Sequence, residues 1–512
     1  MLDPETKHAE AIEQVITMST AYRRSAKVVT DSEDDQSDSR QRRDLRFTSR
    51  RVSTINEEKP DDKKKKTAPA ATPFGPHHTI PIHTLSKASV LSKEAPPENY
   101  SGFIRLGMLV LGASNIRLMI ENYMKYGLMI RLPHSYIPSQ DYGLFALAWL
   151  SVPLSLVVSF VVEYGMRKLA SQARNAKPDF LKKLAVVEKV AALTHVGHLI
   201  FLLSFSSYIV YNHIYHPLVG SAVLIICLIT FLKLTSYCLV NGELRERYVN
   251  GHNDEFYDED VAYPNNIKPS NLLYFFFAPT LCYQPSYPRT PTFRPTFFMK
   301  RVAELVVCLV MMHVLMEQYA KPTLANSLKA LEEKNYVVIV ERVLKLSTTA
   351  VVIWLLMFYA LFHAYLNALS ELLRFGDRTF YLAWWNSGNL ATYWRLWNRP
   401  VYLFFKRHVY LPSVQRGLPP YVGQLLVFFV SAVLHEYMVG IPTHSVNGGA
   451  FFGMLGQIPL IAITKPLEKW RGKESALGNT IFWIVFCVVG QPTIALMYYY
   501  QWTITHKHIE MP

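Results

Sequence analysis

Four apolar stretches set the terms on which this chain can fold: "FALAWLSVPLSLVVSFVVEY" (145–164), "VGSAVLIICLITFLKL" (219–234), "TAVVIWLLMFYALFHAYL" (349–366) and "IFWIVFCVVGQPTIALMYYY" (481–500). About 20 such residues cross a hydrocarbon core as a helix. Half of the 512 residues are hydrophobic, and they are bunched rather than spread periodically. The reading is an all-α polytopic membrane protein. Nine spans are expected, near 103–124, 142–164, 188–212, 217–240, 303–320, 347–375, 421–441, 448–465 and 478–501.

Residues 1 to about 100 are different material, with "DSEDDQSDSRQRRDLR", "KPDDKKKK" and "APAATPFGPHH". Mixed charge and proline bury too little surface to offset chain entropy, so a disordered tail is expected, with Lys63–Lys66 as a solvated run. The first thirty residues hold no apolar stretch behind a basic start, so no cleaved signal is expected. With the tail cytosolic, the cytosolic loops 163–187, 241–302, 376–420 and 466–477 (with Lys465) carry 23 Lys and Arg, against 8 on the opposite side. That bias favours this orientation. The glycosylation pattern at Asn99 is then unused. The basic excess belongs to membrane loops, and no nucleic-acid partner is expected. The five cysteines, in or beside apolar stretches, read as small buried hydrophobes.

Two loops, "YFFFAPTLCYQPSYPRTPTFRP" (274–295) and "FYLAWWNSGNLATYWRLWNRPVYLFFKRHVY" (380–410), are too aromatic for solvated loops and too polar for spans. They read as interfacial or re-entrant segments.

Ionisable groups inside a span are costly and mark function. In "LLVFFVSAVLHEYMVGIP" (425–442), His435 and Glu436 follow a run of apolar and small residues. A zinc HExxH reading fails because position 439 is Val. What remains is an imidazole able to act as a general base. His363, Asn367 and Glu371 share a helical face by their i, i+4, i+8 spacing, and read as packing or cavity-lining groups. His195 and His198 lie in another span with no ligand set in nearby sequence, so no metal is assigned. Gln457 and Gln491 are polar residues in the last two spans.

The motifs "FYLAWWNS", "SAVLHEY", "FFFAPTLCYQPSYPRTP" and "LLRFGDRTFY" together resemble the membrane-bound O-acyltransferase superfamily, from about residue 100 to 505. More narrowly, they resemble its diacylglycerol and sterol O-acyltransferase branch. "ENYMKYG", "YPNNIKPSNLLYFFFAPTLCY", "WNRPVYLFFKRHVYLP" and "GQP" lean to the diacylglycerol side.

The resemblance implies an intramembrane reaction chamber in a homodimer of the endoplasmic reticulum membrane. It implies acyl-CoA and diacylglycerol as substrates, with no further cofactor. His435 matches the family's catalytic histidine and Asn386 the asparagine closing its FYxDWWN motif. Glu436 becomes a supporting acid that orients His435 or relays its proton, and Gln491 a contact near the reacting groups. Trp384 and Trp385 are expected at the entrance, Tyr393 or Trp397 against adenine, and Asn398 and Gln457 on substrate. Arg395, Arg399, Lys406, Arg407 and His408 are expected near CoA phosphates. Ala383 stands where the family has Asp, a side chain able to cap a turn. A sterol acyltransferase, a lipid transporter or scramblase, and a non-catalytic acyl-CoA scaffold are the alternatives.

Overall fold

The computed structural model describes residues 101–130, 138–174, 178–252, 257–471 and 477–506. The expected tail over 1–100, Lys63–Lys66 and Asn99 lie outside them. Among the described residues the structure is helical, with one isolated antiparallel bridge, Arg289 to Phe375, and no strand. All nine expected spans fall on helices. Seven helical stretches are long and apolar enough to cross a membrane: Ser139–Ala173, Asp179–His213, Pro217–Val249, Tyr336–Leu372, Pro420–Gly440, Gly449–Leu467 and Leu477–Thr505. The other two expectations fall on Ser101–Tyr126, which carries Arg105, Arg117 and Glu121, and Pro295–Leu315, which carries Lys300, Arg301 and Glu304.

The helix starts follow from local chemistry. Proline occupies the first turn of Pro217–Val249, Pro269–Phe277, Pro295–Leu315 and Pro420–Gly440, where its missing N–H costs no helical bond. Asn335 caps Tyr336–Phe358 by accepting the N–H of Val338 at 3.3 Å. The short Pro269–Phe277 helix ends on a buried lysine. Lys233 donates to the carbonyls of Phe275 and Ala278 at 2.9 and 2.6 Å, satisfying acceptors at the helix end.

Burial is inverted relative to a water-soluble bundle. Leu193, Val190 and Ile200 are exposed, while Asp141, Glu163, Glu371 and Arg245 are buried. Apolar side chains facing outward suit lipid, and internal charges then need partners. They have them. Glu163 accepts from Arg245 at 2.7 Å and pairs with His195 at 3.1 Å, joining the Ser151–Ala173, Pro178–His213 and Pro217–Val249 helices. The cysteines are all free thiols. An aromatic core (Trp354, Phe358, Phe380, Trp384, Leu390, Tyr393, Phe482) lies under the 380–397 segment.

Candidate active site

His435 is four turns along the Pro420–Gly440 helix. Its Nδ1 lies 2.7 Å from the carbonyl oxygen of Ser431. A carbonyl has no proton to give, so Nδ1 carries the hydrogen and Nε2 keeps its lone pair. The His435 side chain is exposed on its helix. Gln424 and Phe428 share its helix face by spacing. They line an open groove of about 580 Å³ against Ile458, Ile461 and Lys465 of the Gln457–Arg471 helix.

Glu436 does not turn towards the imidazole. Its Oε1 accepts the N–H of Gly448 at 2.9 Å, and its Oε2 accepts the N–H of Phe451 at 3.1 Å and the hydroxyl of Tyr498 at 2.7 Å. Its carboxylate is occupied by the helix that follows and by the last helix, which corrects the expected orienting or relaying contact. Gln491 opens Gln491–Thr505, two turns (about 10 Å) before Tyr498.

The Trp384–Asn386 segment forms a single 3-10 turn, with the N–H of Asn386 on the carbonyl of Ala383 at 3.3 Å. Ala383 stands at the cap position and makes no side-chain bond there. Asn479 donates to the carbonyls of Trp385 and Ser387 at 2.9 and 3.3 Å, fastening the turn to the start of Leu477–Phe482. Gly478 backs onto the Gly388 carbonyl with no room for a Cβ. The Leu390–Trp397 helix then sets Trp394 edge-on to Phe428, two turns before His435. The Asn386 side chain is exposed, with no hydrogen bond among the described residues.

Several expected substrate contacts prove to be packing or capping groups. Trp384 is 3 % exposed and boxed by Trp354, Phe358, Tyr393, Trp397 and Trp483, so it does not reach a ligand. Tyr393 is 2 % exposed against Phe482, with ring centroids 4.1 Å apart. Trp397 is half-buried and stacks on Trp354 and Phe358 at 4.7 and 4.8 Å, a packing role. Asn398 caps the Arg399–Phe405 helix through Val401 N–H. Gln457 is buried and donates to Gly453 O at 3.0 Å. Trp385 alone of these aromatics is exposed.

The basic group divides in the same way. Arg395 and Lys406 are exposed, and Arg399 lies over the Tyr402 ring at 5.5 Å. Arg407 donates to Tyr283 O at 3.2 Å. His408 shares a 2.8 Å hydrogen bond with Ser236, which also accepts the Tyr283 N–H. Burial, helped by the adjacent Arg407, pushes its pKa down to about 4. Burial and Arg407 favour its neutral form, which lacks the charge expected of a phosphate partner.

His363 and Glu371, expected as packing or cavity-lining groups, support this site through distant partners. His363 Nε2 accepts from Arg301, and its Nδ1 donates to the hydroxyl of Tyr381 at 2.8 Å, two residues before Ala383. Glu371 is gripped by Arg294 and Arg378 at 2.9 and 2.7 Å. Asn367 only bonds back to the His363 carbonyl. The shared face of His363 and Glu371 was the one visible signal, since their arginine partners lie up to 77 residues away. π-helical turns cover 359–365, 406–410 and 483–490, and so hold His363, Lys406 to His408, and the residues before Gln491. Such turns widen a helix locally and recur at functional sites.

Residues 152–501 match the membrane-bound O-acyltransferase family. Over 428 residues the chain is 36% identical to diacylglycerol O-acyltransferase 1C of Glycine max, covering 83% of this chain and 79% of that protein. It is 35% identical over 426 residues to diacylglycerol O-acyltransferase 1 of Arabidopsis thaliana, covering 83% and 77%. For the Dictyostelium discoideum diacylglycerol O-acyltransferase 1 it is 34% over 435 residues, covering 83% and 67%. With a family match across most of its length and relatives aligned over most of theirs, the chain belongs to the membrane-bound O-acyltransferase family.

Proposed function

We propose that this protein transfers a fatty acyl group from acyl-CoA to the free hydroxyl of diacylglycerol, giving triacylglycerol and CoA. The observation that carries the reading is the His435 Nδ1 bond to Ser431 O at 2.7 Å, which leaves Nε2 as an accessible base. The aligned relatives, each named a diacylglycerol O-acyltransferase, support the acceptor.

In this reading the acceptor O–H gives its proton to His435 Nε2 as its oxygen attacks the thioester carbonyl carbon. The C–S bond breaks as the tetrahedral centre collapses, and the CoA sulfur takes the proton from the imidazolium. The thioester is already activated, so the step calls for no metal or redox group and no acyl-enzyme. Asn386, with its amide free at the chamber's cytosolic side, steadies the thioester or its developing oxyanion. Gln491 supplies a second polar contact.

The groove along Gln424 and Phe428, otherwise apolar save for Lys465, suits a fatty acyl chain. Trp385 on the turn, with the exposed Arg395 and Lys406 further along the same loop, meets the polar, anionic half of acyl-CoA. The protein works as a homodimer in the endoplasmic reticulum membrane, with its tail in the cytosol.

The test offers labelled oleoyl-CoA with diacylglycerol or cholesterol to purified protein. Triacylglycerol is the expected product. Cholesteryl ester would move the chain to the sterol acceptor, and the absence of both esters would defeat the proposal.

A further inference from the structure

Beside His435 is a buried polar cluster that the chemistry above does not use. Glu436 and Tyr498 are 9 % and 3 % exposed. The Tyr498 hydroxyl donates to Glu436 Oε2 at 2.7 Å and accepts the Ala450 N–H at 3.0 Å. The same carboxylate takes Gly448 N–H and Phe451 N–H at 2.9 and 3.1 Å. Three separate segments therefore converge on one side chain: the 441–448 turn, the Gly449–Leu455 helix and the last helix.

The fit around the carboxylate is tight on every side. A Cβ on Gly440 would come within 2.9 Å of Glu436 Oε1, and one on Gly449 would meet Met497. Gly448 holds φ +79°, a conformation that favours glycine, and so aims its N–H at the carboxylate.

Neighbouring residues on an α-helix point about 100° apart. Fixing the direction of Glu436 fixes the rotation of its helix, and with it the direction in which His435 faces. Ionised carboxylates accepting several N–H and O–H donors form the strong class of hydrogen bond. A lone helix in lipid gains nothing comparable from apolar contacts, which lipid matches.

We propose that Tyr498 is a positioning residue for acyl transfer. Through Glu436 it sets the rotation of the Pro420–Gly440 helix, and so the aim of His435 Nε2 at the acceptor hydroxyl. The same bond holds the last helix, and so places Gln491, two turns from Tyr498. Glu436 acts as the anchor of this arrangement and passes no proton.

The test compares full-length wild type with Tyr498→Phe in oleoyl-CoA transfer to diacylglycerol, in H2O and D2O and across neutral pH. Removing one donor while keeping the ring is expected to lower kcat by roughly tenfold, with the KM for oleoyl-CoA within about twofold. A misaimed base makes proton transfer more limiting, so the solvent isotope effect on kcat rises. The pH midpoint stays where it is, because His435 keeps its Ser431 bond. Glu436→Gln combined with Tyr498→Phe costs less than the two single losses added together, since both act through one carboxylate.

An unchanged kcat would overturn the proposal. So would a lower kcat with an unmoved isotope effect, which means only fewer folded molecules. A shifted pH midpoint would place the pair in the proton path, and additive losses would deny the shared anchor. The inference rests on His435 as base, so His435→Ala is assayed alongside. Transfer surviving in His435→Ala defeats the base assignment. Transfer lost there but untouched in Tyr498→Phe defeats only the positioning role.

Discussion

The Nδ1 of His435 donates to the carbonyl of Ser431 one turn earlier, at 2.7 Å, and this single bond decides which nitrogen is free. The Ser431 hydroxyl is a secondary neighbour at 3.4 Å. Since the backbone carbonyl holds the tautomer, Ser431→Ala is expected to keep kcat within about twofold of wild type. A tenfold loss in steady-state transfer would assign the orienting role to the hydroxyl instead.

The adjacent tryptophans separate packing from binding. Trp384→Ala empties an aromatic box and should cost about 3–5 kcal/mol of stability, seen as a large fall in Tm of the detergent-solubilised protein. Trp385→Ala, at an exposed position, should leave Tm nearly unchanged and raise the KM for acyl-CoA. The reverse pattern would show that the turn faces the other way.

Ala383 leaves the cap of the 384–386 turn without a side-chain acceptor. Ala383→Asp should supply one and stabilise the turn by about 1 kcal/mol. A higher Tm with equal or greater kcat is the expected result. A lower Tm would mean that no N–H there is open to a carboxylate.

His408 provides a pH test outside the spans. Its folded pKa, near 4, lies below the ordinary histidine value of 6.5, chiefly through burial and further through Arg407. The folded state resists a proton that the unfolded chain accepts. Stability is therefore unaffected above about pH 6.5 and falls as pH drops from there towards 4. Tm measured across that window should decline less in His408→Gln than in wild type, with the KM for acyl-CoA unchanged. Equal slopes would remove His408 from the acid response.

The sequence carried the membrane class, the helices and the His435 position because each is a local signal: a run of about 20 apolar residues, or an ionisable pair inside one. It also pointed to the 380–397 segment as a dense aromatic structure. It could not say which ring faced out. Trp384 and Trp385 are chemically identical, and only packing against Trp354 and Trp483 distinguishes them. Glu436 was legible as a functional neighbour of His435 but not as an anchor, because its partners Gly448, Phe451 and Tyr498 are 12 to 62 residues away. His408 reads from its basic loop as a phosphate ligand, whereas its hydrogen bond goes to Ser236, 172 residues earlier. Long-range pairing of this kind has no periodicity to betray it.

With His435 Nε2 proposed to remove the acceptor proton, kcat for oleoyl transfer to diacylglycerol is measured for purified His435→Ala beside wild type. A loss of at least about a hundredfold is expected, with the variant still folded by Tm and size-exclusion profile. A folded His435→Ala enzyme that makes triacylglycerol within a few-fold of the wild-type rate would contradict it.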